Sequence, residues 1–297
     1  MIHNIVNKVC LQLIQRIKFK PGKKLRMKAS KIIVLLTAFF IVFAPAITSA
    51  QKEKSKPKGE FYFSWGYNTE WFTNSNVHVS QPELGNDYSF LNIKGHDHRG
   101  WDEGLFSKAI SIPQYNYRLG YIFNEEKGLG FEINFDHTKF IFSDQNARLK
   151  GNLNKMAVDT SIAFNAQNGF YYYLNNGANF LLFNIVKRWH LNPLFTEKIK
   201  IDFLGKAGIG PVIPHVENSL FGQKNEPHFQ FGGWNIGVEA AIRATFFKYV
   251  FLEYSNKLDY ARYSGLKIYK GTARQAFGTY EMVLNLGLDF PLGKRSN

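Results

Sequence analysis

The chain has 297 residues, 16% of them aromatic, and a formal net charge of +14. Nine of its Lys and Arg lie in residues 1–50 with no acid beside them, so subtracting nine from +14 leaves +5 on residues 51–297. A basic balance concentrated this way gives little support to nucleic-acid binding. The single cysteine, Cys10, lies in the same segment and leaves no thiol beyond it for disulfides, nucleophilic catalysis or thiolate ligation.

The first organised stretch follows Lys31. Ile32–Ala44 is an apolar run, followed by Pro45 and the small residues Thr48-Ser49-Ala50. A basic segment, an apolar run of about a dozen residues and a small-residue site read as a cleaved secretory signal, since a membrane helix needs about twenty apolar residues. Residues 1–50 are therefore expected to form an extended N-terminal region and signal peptide cleaved after Ala50. Met27 opens a signal of ordinary length, so the start at Met1 and the start at Met27 both stay open. Residues 51–58 read as a polar leader, and no cysteine follows the cleavage site to carry a lipid anchor.

From residue 59 onward the chain alternates. Phe61, Phe63, Trp65 and Tyr67 share one parity, against Tyr62, Ser64, Gly66 and Asn68, which gives the first strand. Glu70–Ser111 is a long insertion with weak strand signals at Asn76–Val79 and Tyr88–Ile93 and the cluster His96-Asp97-His98. A hairpin over Ile112–Phe142 supplies the second and third strands around a tight Asn124–Gly128 turn. Its apolar parity holds Tyr117, Leu119, Tyr121, Phe131, Ile133 and Phe135. Ser143–Asn176 is a second long segment with strand character at Tyr171–Tyr173. The fourth strand runs near Phe180–His190, and the short Leu191–Thr196 connection leads to the fifth, Lys198–Val212. Pro214–His228 reads as a third long loop. The sixth and seventh strands, Trp234–Thr245 and Tyr249–Asp259, meet at a tight turn, Tyr260–Arg274 reads as a fourth loop, and the eighth strand ends in Met282, Leu284, Leu286, Leu288 and Phe290.

Such strands fit either a soluble sandwich or a barrel whose apolar face meets lipid. Three features favour the barrel. The strand count is even, arms of about ten residues suit tilted spanning strands, and long and short connections alternate as outer loops and periplasmic turns do. The expected fold is all-β: an eight-stranded antiparallel transmembrane β-barrel over residues 59–297 with long extracellular loops, in the cell outer membrane. Outer-membrane lipids, lipopolysaccharide and the outer-membrane assembly machinery are the expected partners. The other parity collects Arg118, Glu132, Asp136, Asp202, Lys206, Glu239, Arg243, Glu253 and Lys257, which predicts a lumen of paired charges rather than a wide pore.

The segments PQYNYRLGY and FDHTKF resemble small outer-membrane barrels widespread in Bacteroidota. GKAGIGPVIPHVE over Gly205–Glu217, with Asp136-His137-Thr138-Lys139 and Glu253-Tyr254, resembles the barrel group that includes lipid A oxidases. That resemblance spans roughly residues 60–290 and implies, for enzymatic members, oxidation of a lipid A sugar with oxygen and a divalent metal.

Geometry nominates the site candidates. The outward-running third and fifth strands end at Asp136, His137 and Lys139 and at Pro214, His215 and Glu217, level with lipopolysaccharide head groups. Asp136, His215 and Glu217 are candidate catalytic residues, His215 and Glu217 candidate ligands of a divalent metal, and Lys139 a candidate phosphate contact. Parity sends Asp136 into the lumen but His137 and Lys139 outward, so all three line one pocket only if the strand bulges. His96 and His98 suit metal binding only with further ligands. No G-x-S-x-G, H-E-x-x-H or phosphate-cradling glycine loop occurs. Glu253-Tyr254-Ser255-Asn256 resembles the site of barrel lipid A deacylases, but the His that precedes their Ser is missing. Two function classes follow: a structural or surface-binding barrel, and a lipid-A-modifying, oxidase-like enzyme at the extracellular rim. The first is favoured because no catalytic constellation is specific enough.

Overall fold

Alternating side chains sort onto the two faces of a sheet, and this chain closes its sheet on itself. The computed structural model describes residues 59–98, 114–174, 177–191 and 199–292. The expectations for residues 1–58, for Ile112 and for residues 192–198 lie outside these. Eight strands form the wall: β1 (Glu60–Phe72), β5 (Asn116–Asn124), β6 (Leu129–Asp136), β11 (Phe180–Leu191), β12 (Ile199–Pro211), β15 (Gly233–Phe246), β16 (Val250–Ile268) and β17 (Gly271–Pro291). Each pairs antiparallel with the next in that order, and β17 returns to β1 from Glu60↔Pro291 to Phe72↔Thr279. The eight strands thus close into a ring, which is what a sheet in hydrocarbon requires.

Burial follows the alternation. Along β16 the outward residues from Val250 to Tyr260 are mostly apolar and exposed, while Phe251, Glu253, Ser255, Lys257 and Asp259 are buried. Ten steps of about 3.3 Å at a tilt of about 40° rise about 25 Å, the height of a lipid-facing band. Aromatic pairs bound the band. Trp71–Tyr280 and Trp234–Tyr260, with centroids 5.6 and 5.9 Å apart, lie at the outer end; Trp189–Phe203, 5.5 Å apart, lies at the inner end. The protein is an outer-membrane β-barrel.

The lumen is packed with side chains. All nine charged residues assigned to it by parity are buried. Lys206 Nζ lies 2.9, 3.1 and 2.8 Å from Glu132, Glu239 and Glu253. Arg243 pairs with Glu253 at 2.7 Å and lies over the Phe251 ring at 3.8 Å. Arg188 and Glu60, both buried, meet at 2.5 Å near the inner end. Buried charges persist only when paired and hydrogen-bonded in this way.

The expected long outer loops are folded instead. Segments between wall strands form β2 (Ser75–Gln81), β3 (Asn86–Ile93), β8 (Gln145–Leu153) and β9 (Met156–Phe164), which continue the wall sheet from the outer half of β17. A second, five-stranded sheet has the order β14 (Gln223–Lys224), β13 (Glu217–Leu220), β10 (Tyr171–Leu174), β7 (Phe140–Phe142), β4 (Gly95–His96). The expected fourth loop, Tyr260–Arg274, is a hairpin: β16 and β17 run on to Ile268↔Gly271 with a bulge between Tyr263 and Leu266. The two sheets close on an aromatic core. Phe140 stacks on Phe277 at 4.4 Å, and Phe142 meets Phe164 at 5.3 Å. Each buried Phe contributes about 1.5–3 kcal/mol, enough to hold short strands that could not stand alone. By the rule that elaborate connections face outward, this sandwich stands on the cell surface.

Candidate functional site

The expected rim residues go to three different surroundings. Asp136 is fully buried at the outer end of the lumen, bonded to Lys257 and 3.5 Å from Arg118. His137, just past β6, stacks on Tyr115 at 4.6 Å, and its Nδ1 lies 2.8 Å from Asn179 Oδ1. Burial, with Lys139 nearby, pushes His137 down to about 4, so it is neutral at ordinary pH. His215 rests against Phe229 at 4.8 Å, and its backbone N–H donates to Gly177 O at 2.8 Å. Among the described residues no three His, Cys, Asp or Glu side chains are grouped to hold a metal ion. Asp97 turns toward the barrel, its carboxylate accepting from Thr69 Oγ1 and the Glu70 N–H, both at 2.9 Å.

Two of the nominated residues do share a surface. In the small sheet Glu217 lies opposite Tyr173, Tyr173 opposite Ile141, and Ile141 opposite His96. Residues directly opposed on neighbouring strands project from the same face. Phe140, Phe142, Tyr172 and Leu174, on the other parity, fill the core, so the Glu217–Tyr173–Ile141–His96 row faces away from it. Tyr171, two residues before Tyr173, stacks on it with centroids 4.9 Å apart and planes 20° apart. His96 Nδ1 lies 3.0 Å from Ser143 Oγ at the margin of the same face.

The electrostatics tie the row together. Burial raises the Tyr171 hydroxyl above its ordinary value, and the Glu217 carboxylate raises it further. Burial also raises Tyr173, with Asp144, Tyr171 and Glu217 adding to it. Both phenols therefore keep their protons and serve as donors, while Glu217 accepts. The face presents a half-buried aromatic ridge with a carboxylate on one flank and an aliphatic side chain and an imidazole on the other. Chemically it suits recognition: an apolar stacking surface beside a few placed polar groups.

Sequence reasoning found Glu217, His96 and the strand at Tyr171–Tyr173 but not their juxtaposition. The signal available was the triplet Tyr171-Tyr172-Tyr173, in which the middle ring is buried and the outer two are not.

No protein-family model matches the chain, and no curated protein matches it in sequence. Solved structures resemble it in outline. Neisserial surface protein A is 10% identical, covers 77% of this chain and 97% of its own, and has a TM-score of 0.33. Outer membrane protein OprG from Pseudomonas aeruginosa is 10% identical, with 79% and 97% covered and a TM-score of 0.35. The attachment invasion locus protein of Yersinia pestis is 17% identical, with 78% and 99% covered and a TM-score of 0.29. The barrel of this chain stands on its own closed hydrogen-bond register.

Proposed function

We propose that this barrel is a surface-binding protein of the Gram-negative envelope, which holds a β-sandwich outside the membrane so that the outer face of its small sheet captures a glycan. The observation that carries the reading is the Glu217–Tyr173–Ile141–His96 row with Tyr171 stacked on Tyr173. A sugar ring lays its C–H face on an aromatic ring, and its hydroxyls donate to a carboxylate placed alongside. The packed lumen gives the barrel the part of a rigid anchor. Lipid A modification, the other class, would need Asp136, His215 and Glu217 to act on one atom, and Asp136 is engaged by Lys257 and Arg118 inside the lumen.

The test is retention of defined neutral oligosaccharides on the immobilised, folded protein. Tyr173→Ala or Glu217→Gln is expected to weaken retention by about tenfold, near 1.4 kcal/mol. Unchanged retention in both variants would remove the reading.

A further inference from the structure

Above the lipid-facing band on the other side of the molecule, the outward face of β16, β17 and β2 carries two adjoining shallow depressions of about 250 and 240 Å³. Both are lined by His78 and Arg274, and the first also by Arg262 and Tyr260. The depression exists because small residues sit where neighbours are large: Ala276 lies opposite Arg262, and Gly278 opposite Tyr260. Arg274 lies opposite His78 on β2. Among the described residues neither the Arg262 nor the Arg274 side chain has an ion-pair or hydrogen-bond partner, whereas the lumenal cations Arg118, Arg188, Lys206, Arg243 and Lys257 are all paired. His78 is held in place, its Nε2 3.1 Å from Asp87 and its Nδ1 3.1 Å from Ser89 Oγ.

The height of this groove decides what it meets. Tyr260, packed against Trp234 at 5.9 Å, marks the outer aromatic girdle. Arg262 stands two residues beyond it, about 5 Å higher along a strand tilted by about 40°. Arg274 stands two residues further out than Ala276, the partner of Arg262 on the neighbouring strand. Hydrocarbon ends at the girdle, so the next layer outward is the head-group layer, which in the outer leaflet consists of phosphorylated glycolipid. A guanidinium fork matches a phosphate in two parallel hydrogen bonds, and an arginine facing a membrane surface with no protein partner has its charge uncompensated until an anion arrives.

We propose that Arg262 and Arg274, with the groove between them, form a binding site for a phosphate of the outer-leaflet glycolipid, so that one lipid molecule is held against the outward face of β16, β17 and β2 at the base of the surface sandwich. His78 also lines the groove, held in place by Asp87 and Ser89. The site is separate from the small-sheet face and does not depend on that face binding a glycan.

The full-length barrel, folded in detergent micelles, is titrated with three probes: lipid A bearing two phosphates, the same lipid with both removed, and inorganic phosphate. Diphosphoryl lipid A is expected to bind, the dephosphorylated lipid at least about tenfold more weakly, and millimolar inorganic phosphate not to displace it. Arg262→Gln with Arg274→Gln should weaken the diphosphoryl lipid by about tenfold or more. Arg148→Gln with Lys150→Gln, which removes two charges from the exposed β8–β9 hairpin, should leave affinity within about twofold. Heat-modifiable migration confirms folding, and Arg262→Lys with Arg274→Lys, which keeps the charge, should lose less than the Gln pair. Equal binding of the dephosphorylated lipid, equal loss in both Gln pairs, or displacement by inorganic phosphate would each overturn the site.

Discussion

Arg118 on β5 reaches Glu239 on β15 at 3.1 Å, and because those strands are not neighbours in the ring, the pair spans the lumen. The same guanidinium lies 3.6 and 3.5 Å from Glu132 and Asp136 on β6. One side chain thereby ties opposite walls together.

Arg118→Ala should accordingly destabilise the barrel by about 3–5 kcal/mol, since it strands buried carboxylates rather than merely losing a contact. Urea unfolding of the protein in vesicles reads this directly. A loss under about 1 kcal/mol would mean that the lumen admits enough water to solvate those carboxylates.

Leu286 tests the lipid face. It is 58% exposed on the outward parity of β17, opposite Trp65 and Leu252. Leu286→Arg should cost about 2–4 kcal/mol near the midplane. The same substitution at Met156, exposed at the tip of the β8–β9 hairpin, should stay within about 0.5 kcal/mol. Equal costs at the two positions would contradict the placement of the band.

His137 carries a pH prediction. Its folded value is about 4 against an ordinary 6.5, so between those values the unfolded chain binds a proton that the folded one does not. The contribution is complete above pH 6.5 and is lost progressively as pH falls toward 4, where the Tyr115–His137 stack should loosen. An NMR titration of the His137 ring should show a midpoint near 4, and a midpoint near 6.5 would show that the ring is solvated.

How much of this was legible depended on whether a segment has two distinct faces. Within the wall, lipid on one side and paired charges on the other force strict alternation, so Arg118, Glu132, Lys206 and Glu253 could be assigned inward from parity alone. The outer half of β16–β17 reads as a loop in the sequence because the bulge between Tyr263 and Leu266 shifts the buried parity from Ala261 and Tyr263 to Leu266 and Ile268. Strand β9 escaped for a different reason. Met156–Phe164 buries only Phe164 and is otherwise exposed or half-exposed, so no period marks it. The row joining Glu217, Tyr173, Ile141 and His96 draws on four short strands far apart in the chain. Their pairing is set by the aromatic core beneath them, which no local pattern encodes.

The central claim is that the Tyr171–Tyr173 ridge is a sugar platform, and saturation-transfer NMR on the folded barrel tests it most directly. With the protein's aromatic protons saturated, a bound oligosaccharide should receive saturation chiefly at the C–H protons of one ring face. Tyr171→Ala and Tyr173→Ala should each reduce that transfer sharply, in line with an affinity loss of about tenfold, while the barrel keeps its heat-resistant fold. Transfer that persists undiminished in both variants, or no transfer from any of a broad panel of neutral and acidic glycans to the intact protein, would contradict the account.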